Sequence, residues 1–305
     1  DAPAPGQGVV TIRVHAAGVN FPDALIIEDR YQVRPPRPFS PGAEVAGVVE
    51  AVGSEVEGFA VGDRVAYATG PLGACAELHV LPAQHLVKLP DSISYEQAAA
   101  MMLKGLTVQY LLRQTYELKG GETILFHAAA GGVGSFACQW AKALGVNLIG
   151  TVSSAQKAAR AKEQGAWATI DYSHENVVQR VLELTDGAKC PVVYDGVGKD
   201  TWETSLDCVA PRGLLVSFGN ASGAVTGVNL GILAQKGSLY VTRPTLAGYA
   251  TSAERLQAMA DELFEMIGSG KIKVEIGQRY ALGDAAEAQR KLAAGETTGS
   301  TILLP

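Results

Sequence analysis

The chain has 305 residues, a length typical of two domains, and 47% of them are hydrophobic while 18% are charged. These proportions predict folded domains with large cores and exclude a disordered chain. The formal net charge of −6 argues against a nucleic-acid partner, and no apolar run approaches the roughly 20 residues that a bilayer span requires. We expect a cytoplasmic protein, because the N-terminus lacks signal-peptide architecture and the cysteines are scattered among apolar neighbours.

Short β-branched runs, separated by glycine and proline, fill the N-terminal part of the chain. They predict strands at residues 9–17, 42–52 and 64–68. This spacing is typical of a small antiparallel β domain with irregular loops. Because a predicted strand stands close to the abrupt start of the chain, we expect the first strands of this domain's sheet to be absent from the sequence.

Helices and strands alternate after residue 91. Ser94 and Gln97 have the form of a capping box before an alanine- and methionine-rich helix, and a second helix is predicted at 105–116. Further strands are predicted at 123–126, 146–152, 168–170, 192–194, 213–218 and 238–242. The helices between them are predicted to begin at Ser135 and to cover 155–164, 175–184 and 201–209. The alternation predicts a parallel sheet with helices on both faces.

The alternation ends near residue 244. Helices are predicted at 251–267 and 284–293, and strands at 271–275 and 300–304. The first of these helices has a capping box from Thr251 to Glu254. We expect this tail to return to the first domain, because a closing strand needs a partner in a sheet.

A strand, a glycine-rich turn and a helix at 122–145 form the context of a dinucleotide-binding site. Ala129, Gly131 and Gly134 occupy the three positions of the G-x-G-x-x-G pattern, so the first glycine is replaced. A helix N-terminus offers unpaired N–H groups and a partial positive charge, and glycines allow a pyrophosphate to approach that backbone closely. A tight turn without a ligand is the alternative interpretation.

The second strand of the alternation favours NADPH over NADH. An NAD site of this type has an acidic residue about 20 residues after the glycines, which binds the ribose hydroxyls. No carboxylate lies between Gly134 and Gln156, and Lys157 and Arg160 follow on one face of the next helix. A lysine and serine hydroxyls would bind a 2′-phosphate, although a solvated helix face is the alternative role. Tyr172, after the third strand, would lie over the adenine or near the phosphate unless it packs in the core.

The sequence contains no metal-ligand pattern. The histidines are not paired with cysteine or glutamate at ligand spacing; they are His15, His79, His85, His127 and His174. No Ser-His-Asp or paired-carboxylate arrangement follows from sequence order either. We interpret His127, at the end of the strand before the glycine turn, as structural.

Several passages carry a resemblance to a known family: AAGVNF (16–21), PGAEVAG (41–47), GDRV (62–65), LKGLT (103–107), residues 126–145, VYD (193–195) and VSFGN (216–220). Over nearly all of its length the chain resembles the zinc-free quinone oxidoreductases of the medium-chain dehydrogenase/reductase superfamily, the group that includes zeta-crystallin. The resemblance implies an α/β fold in which a Rossmann doubly wound parallel sheet is inserted in a GroES-like β-rich catalytic domain. It assigns residues 1–105 and 246–305 to the catalytic domain and 106–245 to the NADPH-binding domain. It also implies a homodimer through the Rossmann edge strand near 238–242.

The resemblance also assigns residues to the cofactor, NADPH, and to the substrate. It places Gly131, Gly132, Val133 and Gly134 on the pyrophosphate. It places Ser153, Lys157 and Tyr172 in the 2′-phosphate pocket. Near the nicotinamide and its ribose it places Asn20, Thr107, Phe218, Gly219 and Asn220. Asn20 and Tyr31 are expected nearest the substrate. Asn20 would position the nicotinamide or the substrate, and Tyr31 would line the cleft or polarise the acceptor, with a packing role as the alternative for Tyr31.

Two features depart from the patterns of the family and of its zinc-dependent relatives. The zinc-dependent relatives carry Gly-His-Glu where this chain has Ala43 between Gly42 and Glu44, and no cysteine occupies the region of Asn20. The resemblance therefore implies an enzyme without a metal. Leu25 stands where the family often carries a tyrosine, in a D-x-Y pattern shortly after its Asn-Phe pair.

We therefore expect a quinone reductase that transfers a hydride from NADPH to a quinone without a metal. The cofactor carries the chemistry, and the protein supplies orientation and a polar contact to the developing oxyanion. Two alternatives stay open. One is reduction of the double bond of an enone or an enoyl thioester. The other is a non-catalytic NADPH-binding protein with a structural or RNA-binding role, although the acidic balance weighs against RNA.

Overall fold

The computed structural model describes residues 4–31 and 34–305. These residues form two units: the described residues up to Leu106 join Tyr249–Pro305 in the first unit, and Thr107–Gly248 form the second. Within the described ranges, no helix combines the length and the apolar character needed to cross a bilayer.

The elements of both units follow one another along the chain as described here. The strands are β1 (Val9–Val19), β2 (Glu44–Val52), β3 (Arg64–Ala68), β4 (Leu78–Pro82), β5 (Val87–Lys88), β6 (Thr123–Phe126), β7 (Asn147–Val152), β8 (Ala168–Asp171), β9 (Cys190–Asp195), β10 (Val209–Ser217), β11 (Tyr240–Thr242), β12 (Ile276–Ala281) and β13 (Ser300–Leu304). The α-helices are α1 (Phe21–Ile27), α2 (Tyr95–Tyr110), α3 (Gly132–Ala143), α4 (Ala155–Glu163), α5 (Val177–Leu184), α6 (Trp202–Cys208), α7 (Gly231–Gln235), α8 (Leu246–Tyr249), α9 (Ala253–Gly268) and α10 (Ala285–Ala293). Short 3-10 turns cover Ala83–His85 and Leu282–Asp284, and a π-helical turn, Leu111–Thr115, follows α2.

The sheet of the first unit has the strand order β12-β13-β1-β2-β3-β5, with β4 also paired to β1. Its pairs are antiparallel, except that β12 and β13 run parallel. β13 lies between β12 and β1, where Leu303 stands opposite Ala17, so the tail returns to the first sheet as the sequence predicted. Alternating strand residues bury an apolar core in which the following are at most 1% exposed: Val10, Ile12, Val45, Val65, Leu81 and Leu303.

The sheet of the second unit is parallel throughout, in the order β11-β10-β9-β6-β7-β8. Counted from β8, this is the Rossmann order 3-2-1-4-5-6, so the predicted doubly wound fold is confirmed. The strand order reverses between β6 and β9, and sheets of this kind bind ligands at the carboxyl ends of the strands beside that point. Fully buried strand residues form the core: Leu125, Ile149, Ile170, Val193 and Leu215.

One helix stands where the sequence predicted two. The prediction placed a second helix at 105–116, but α2 runs unbroken through Gly105 and ends at Tyr110. A Cβ on Gly105 would lie 2.6 Å from Cδ1 of Leu263, so the missing side chain serves close packing against α9. The capping box before α2 is confirmed: the Gln97 N–H donates to Oγ of Ser94 at 3.2 Å.

Two further predictions in the first unit were wrong. The strand predicted at 271–275 is irregular, and β12 begins at Ile276 because that residue is the first to find a partner on β13. The cap of α9 is Ser252 and not Thr251, since the Oγ atom of Ser252 accepts from the Arg255 N–H. Helix α1 was not predicted, because its few residues are too short for a periodic pattern.

Candidate active site

The glycine turn of the second unit joins β6 to α3. Gly131 is the N-cap of α3, and its N–H donates to the carbonyl oxygen of Ala128 at 2.9 Å. A Cβ on Gly134 would lie 2.4 Å from that same oxygen, so the first turn of the helix packs directly on the loop. Gly132, Val133 and Gly134 form this first turn, whose N–H groups have no acceptor within the helix. Such a turn suits an anionic ligand.

Ala129 fits where the fingerprint has its first glycine, because β7 provides the space. The Ala129 side chain is fully buried, and its N–H donates to the carbonyl oxygen of Thr151 at 3.0 Å. A Cβ on Gly150 would lie 2.4 Å from Cβ of Ala129. Gly150 on the neighbouring strand thus leaves room for the Ala129 side chain, and alanine is compatible with the same turn.

The end of β7 brings together the residues predicted for the 2′-phosphate. Nζ of Lys157 donates to Oγ of Ser153 at 3.0 Å, with Lys157 exposed and Ser153 half-buried. Ser154 caps α4 by accepting the Lys157 N–H at 3.3 Å. Tyr172, with 56% of its surface exposed, is held beside this strand end by its N–H, which donates to the Val152 carbonyl at 3.1 Å. An ammonium, hydroxyls and an exposed ring therefore surround one strand end.

Asp171 is the carboxylate at the end of β8, opposite Val152. Its Oδ1 atom accepts from the Oγ of Ser173 at 2.6 Å and from the Ser173 N–H at 3.1 Å. These hydrogen bonds lower the pKa of Asp171. The carboxylate is thus bound to the following turn, whereas the two residues that follow β7 are serines and not acidic residues.

The loop after β10 carries Phe218, Gly219 and Asn220 and is attached to the end of β9. The N–H groups of Phe218 and Gly219 both donate to the carbonyl oxygen of Asp195, at 2.8 and 3.3 Å. A Cβ on Gly219 would lie 2.4 Å from the carbonyl oxygen of Gly196, so the two loops touch through their backbones. The Phe218 ring packs on Phe126, with 5.6 Å between the centroids.

A line of buried polar side chains crosses beneath these three loops, and we call Thr151, His127, Ser205 and Asp195 the buried polar chain. Each of the four is at most 3% exposed. The Ser205 hydroxyl donates to Oδ2 of Asp195 at 2.6 Å and lies 3.0 Å from Nε2 of His127. Nδ1 of His127 lies 3.0 Å from Oγ1 of Thr151. The sequence missed this group, although His127, Thr151 and Asp195 all stand at carboxyl ends of adjacent strands, where side chains converge.

The buried polar chain contains Ser, His and Asp but cannot act as a nucleophilic triad. Ser205 has no exposed surface, and its single proton is donated to Asp195, not to His127. Nε2 of His127 must then donate to Oγ of Ser205, which leaves Nδ1 to accept the Thr151 proton. Burial lowers the pKa of His127, with Asp195 opposing, so the imidazole is neutral. This agrees with the structural role that the sequence suggested.

The first unit places Asn20 in a buried charged cluster. Nδ2 of Asn20 donates to Oε2 of Glu44 at 2.6 Å, and Nζ of Lys104 donates to Oδ1 of Asn20 at 2.8 Å. The Leu103 N–H donates to the other oxygen of Glu44 at 2.8 Å. A Cβ on Gly18 would lie 2.1 Å from Oε2 of Glu44, so a glycine on β1 admits the carboxylate. Both ends of the Asn20 amide are thereby fixed in direction.

Asp23 adds a second buried carboxylate beside Asn20. Its Oδ2 atom accepts the Asn20 N–H at 2.9 Å and caps α1. Burial raises the pKa of Asp23 to about 7 against this hydrogen bond, and Glu44 contributes to the rise. Burial also raises the pKa of Glu44, while Lys104 lowers it. The sequence N-x-x-D from Asn20 to Asp23 was the signal that would have predicted the cap.

The residues predicted nearest the substrate lie on and after α1. Leu25 is 8% exposed and faces the interior of the first unit. The Tyr31 N–H donates to the carbonyl oxygen of Leu25 at 3.1 Å, and the Tyr31 side chain is half-buried. Thr107 lies on α2 and belongs to the second unit. That Asn20, Tyr31 and Thr107 meet the nicotinamide or the substrate stays a prediction.

Ala43 and Glu44 lie where the resemblance sets the Gly-His-Glu motif of zinc-dependent relatives. Ala43 precedes β2, and Glu44 is engaged by Asn20, Leu103 and Lys104. Among residues 4–31 and 34–305, no group of three or more His, Cys, Asp or Glu side chains is placed to hold a metal ion.

Comparison with known proteins identifies the relatives of this fold and site. Residues 6–91 match the alcohol dehydrogenase GroES-like domain, and residues 132–265 match the zinc-binding dehydrogenase family. A quinone oxidoreductase of Pseudomonas aeruginosa is 72% identical over 99% of this chain and 92% of its own length. The crystal structure of Escherichia coli quinone oxidoreductase complexed with NADPH is 54% identical, with a TM-score of 0.96, covering 100% of this chain and 94% of that one.

A relative with a different name is also similar. A 2-haloacrylate reductase of a Burkholderia species is 40% identical over 99% of this chain and 92% of its own length. The Rossmann strand order, the glycine turn and the extent of these identities lead to one assignment. The chain belongs to the quinone oxidoreductase family of the medium-chain dehydrogenase/reductase superfamily.

Proposed function

We propose that the chain is a quinone reductase that uses NADPH. The observation that carries the proposal is the end of β7, where Ser153 and Lys157 offer a hydroxyl and an ammonium 3.0 Å apart. A ribose 2′-phosphate needs such donors, whereas the 2′-hydroxyl of NADH needs a carboxylate. The E. coli relative, crystallised with NADPH, supports the same choice of cofactor.

The residues of the second unit fit NADPH at three places. We assign Gly131, Gly132, Val133 and Gly134 to the pyrophosphate, Ser153, Lys157 and Tyr172 to the 2′-phosphate side, and Thr107, Phe218, Gly219 and Asn220 to the nicotinamide and its ribose. The fit rests on the tight approach at Gly134 and on the cation at Lys157. We assign residues 106–245 to the NADPH-binding domain, and residues 1–105 and 246–305 to the catalytic domain.

NADPH supplies, when bound, a hydride from C4 of its nicotinamide. The chain's own residues bind and orient. Asn20 has two amide N–H donors, of which Glu44 takes one at 2.6 Å, and we assign the second to the nicotinamide or to an acceptor carbonyl. Lys104 and Glu44 hold the amide from both sides, so little reorientation accompanies binding. Tyr31 lines or polarises the acceptor.

The reaction is tested by following NADPH oxidation with 1,4-benzoquinone and repeating the assay with NADH. We expect turnover with a lower KM for NADPH. Equal KM values for the two nucleotides would contradict the proposal. So would the absence of turnover with either nucleotide. For Tyr31, the Tyr31→Phe variant should change the KM or kcat for quinone more than the KM for NADPH, and unchanged quinone kinetics would indicate packing.

A second candidate is reduction of an activated carbon–carbon double bond. The 40% identity with 2-haloacrylate reductase favours it. Both reactions deliver a hydride to an electron-poor conjugated acceptor, so the same nucleotide site serves either. Turnover of 2-chloroacrylate or of a simple enone, measured beside 1,4-benzoquinone, decides between them. Tight NADPH binding without turnover of any acceptor would indicate the non-catalytic alternative.

We further propose a cytoplasmic homodimer joined through β11. β11 is the last strand on its side of the sheet, and Tyr240 and Val241 expose 65% and 37% of their surfaces there. Pairing two such edges across a two-fold axis would join the two sheets into one. Light scattering of the parent and of Val241→Asp gives the test. A dimeric parent and a monomeric variant are expected, whereas a monomeric parent contradicts the proposal.

A further inference from the structure

We propose that the buried polar chain acts as one positioning unit that sets the backbone of the loops after β6, β7 and β10, which carry residues assigned to NADPH. The inference rests on the proposed function only for the identity of the ligand. The hydrogen bonds themselves join the loop after β6, the loop after β7 and the pair of loops after β9 and β10. None of the four side chains is exposed enough to touch a ligand, so their role is to position and not to catalyse.

Thr151 forms the end of the chain that holds the first two loops. Its Oγ1 atom accepts the Ala128 N–H at 3.3 Å, and its carbonyl oxygen accepts the Ala129 N–H at 3.0 Å. Ala128 has a φ of 55°, a left-handed conformation that alanine rarely adopts without support. Ser153, assigned to the 2′-phosphate, follows Thr151 by two residues. One threonine thus fixes the entry to the glycine turn and the end of β7.

Asp195 forms the other end and holds the remaining loops. Its carbonyl oxygen accepts the N–H groups of Phe218 and Gly219, while its Oδ1 atom accepts those of Val197 and Gly198 at 2.8 and 3.0 Å. The loop after β10, which carries the predicted nicotinamide contacts, is therefore bound to Asp195. The carboxylate of the same residue accepts the hydrogen bond from the Ser205 hydroxyl.

His127 joins the two ends. Oδ2 of Asp195 can only accept, which sets the direction of the hydrogen bonds along the chain, and this oxygen also accepts from Oγ1 of Thr201 at 2.7 Å. The Ser205 proton goes to Asp195, the Nε2 proton goes to Ser205, and the Thr151 proton goes to Nδ1 of His127. Removing the hydroxyl of Thr151 or of Ser205 leaves one ring nitrogen of His127 without its partner and releases the imidazole. A disturbance at Ser205 should therefore reach the glycine turn, although no hydrogen bond joins them directly.

The experiment compares Thr151→Val, Ser205→Ala and the double variant with a matched control, Thr185→Val. Thr185 also loses two hydrogen bonds when its hydroxyl is removed, one of 2.7 Å to the Val181 carbonyl and one of 3.0 Å from the Lys189 N–H. It follows α5, at the edge of the sheet where the parallel strands begin, away from the assigned loops. A structural effect alone would appear in the control as well.

The first readout is the Kd for NADPH, measured by fluorescence titration. Each single variant should raise Kd about tenfold, and the double variant should raise it by far less than the product of about a hundredfold, because both act through His127. Thr185→Val should lower the Tm and leave Kd unchanged. Additive effects of the two variants, or an equal rise of Kd in the control, would overturn the inference.

The second readout needs no ligand. Amide hydrogen exchange should quicken in residues 128–134, 153–154 and 218–220 in both single variants, and only near residue 185 in the control. Acceleration confined to the mutated residue's own loop would overturn the inference. If the parent does not bind NADPH, the proposed function fails while hydrogen exchange still decides the role of the buried polar chain.

The third readout uses the unmodified protein and so does not depend on whether any variant folds. The ¹⁵N chemical shifts of His127 should show a neutral ring with its proton on Nε2. A proton on Nδ1, or a doubly protonated ring near neutral pH, would break the order of donors on which the coupling depends.

Discussion

Nζ of Lys157 donates a 3.0 Å hydrogen bond to Oγ of Ser153, and this pair joins the first turn of α4 to the end of β7. Because Lys157 is exposed and Ser153 is only half-buried, water screens their interaction and it contributes little to folding. The pair instead presents two donors in a fixed arrangement, beside a strand that ends without a carboxylate. The consequence for nucleotide choice is directly measurable.

Replacing Lys157 with alanine should raise the KM for NADPH about tenfold and leave the KM for NADH nearly unchanged, because only NADPH carries the 2′-phosphate. Steady-state kinetics with both nucleotides give the result. Lys162→Ala, on the last turn of the same helix, is the matched control and should change neither value. Equal effects of Lys157→Ala on the two nucleotides would remove Lys157 from the phosphate pocket.

Gly150→Ala should destabilise the second unit by about 1–3 kcal/mol, because the added methyl would lie 2.4 Å from Cβ of Ala129. Adding Ala129→Gly should restore most of the lost stability, since it removes the other half of the clash. Thermal unfolding of the single and double variants gives the comparison. Gly268→Ala, where a Cβ meets nothing within 4 Å, is the control and should not lower the Tm. Absence of rescue would refute this packing relationship.

Asp23 should make the stability of the first unit fall as pH rises from about 4 to about 7. Its pKa is about 7 in the folded protein against 3.8 for the free side chain, so in this range the folded state binds more protons than the unfolded state. Between about pH 5 and about pH 8, the free energy of unfolding of Asp23→Asn should therefore rise relative to that of the parent by up to a few kcal/mol. Denaturant unfolding at the two pH values measures the difference.

The pH prediction needs a comparison between variants and not a single curve. Burial lowers the pKa of His79 to about 4, which makes stability rise with pH between about 4 and about 6.5 and so opposes Asp23. The difference between parent and Asp23→Asn removes this contribution. Asp91→Asn, whose side chain is 99% exposed, is the control. If the free energy of unfolding of the parent and of Asp23→Asn changed with pH in parallel, the raised pKa of the buried Asp23 would be refuted.

Activity should survive removal of metal ions. The resemblance sets Ala43 against the histidine of zinc-dependent relatives, and Glu44 is already bound by Asn20 and the Leu103 N–H. Assays of NADPH oxidation before and after dialysis against a chelator, with the zinc content measured in parallel, give the test. Loss of activity that added zinc restores would contradict the metal-free proposal.

The parallel sheet of the second unit and the position of the glycine turn were predictable from sequence, because alternating strands and helices leave few topologies. The alanine at position 129 was readable as a substitution, but its compensation by Gly150 was not, since that contact depends on the distance between two strands. Gly105 is a second example. The sequence predicts a helix boundary there, and only the contact with Leu263 explains why a glycine stands within α2.

The polar groups were harder to predict than the backbone. His127, Thr151 and Asp195 come from three strands, and Ser205 from a helix, so no spacing in the sequence records their convergence. The charge state of Asp23 was equally hidden, because burial sets it and burial follows from tertiary packing.

The interior place of β13 in the first sheet has a consequence for biosynthesis. Once the chain has left the ribosome through Gly248, every strand of the second sheet is available, whereas β1 still lacks β13, which comes after it by most of the chain. The second unit can therefore fold while translation continues, and the first must wait with an open strand edge. An unpaired edge of this kind recruits other strands, so the nascent first unit is open to wrong pairing until β13 has been synthesised.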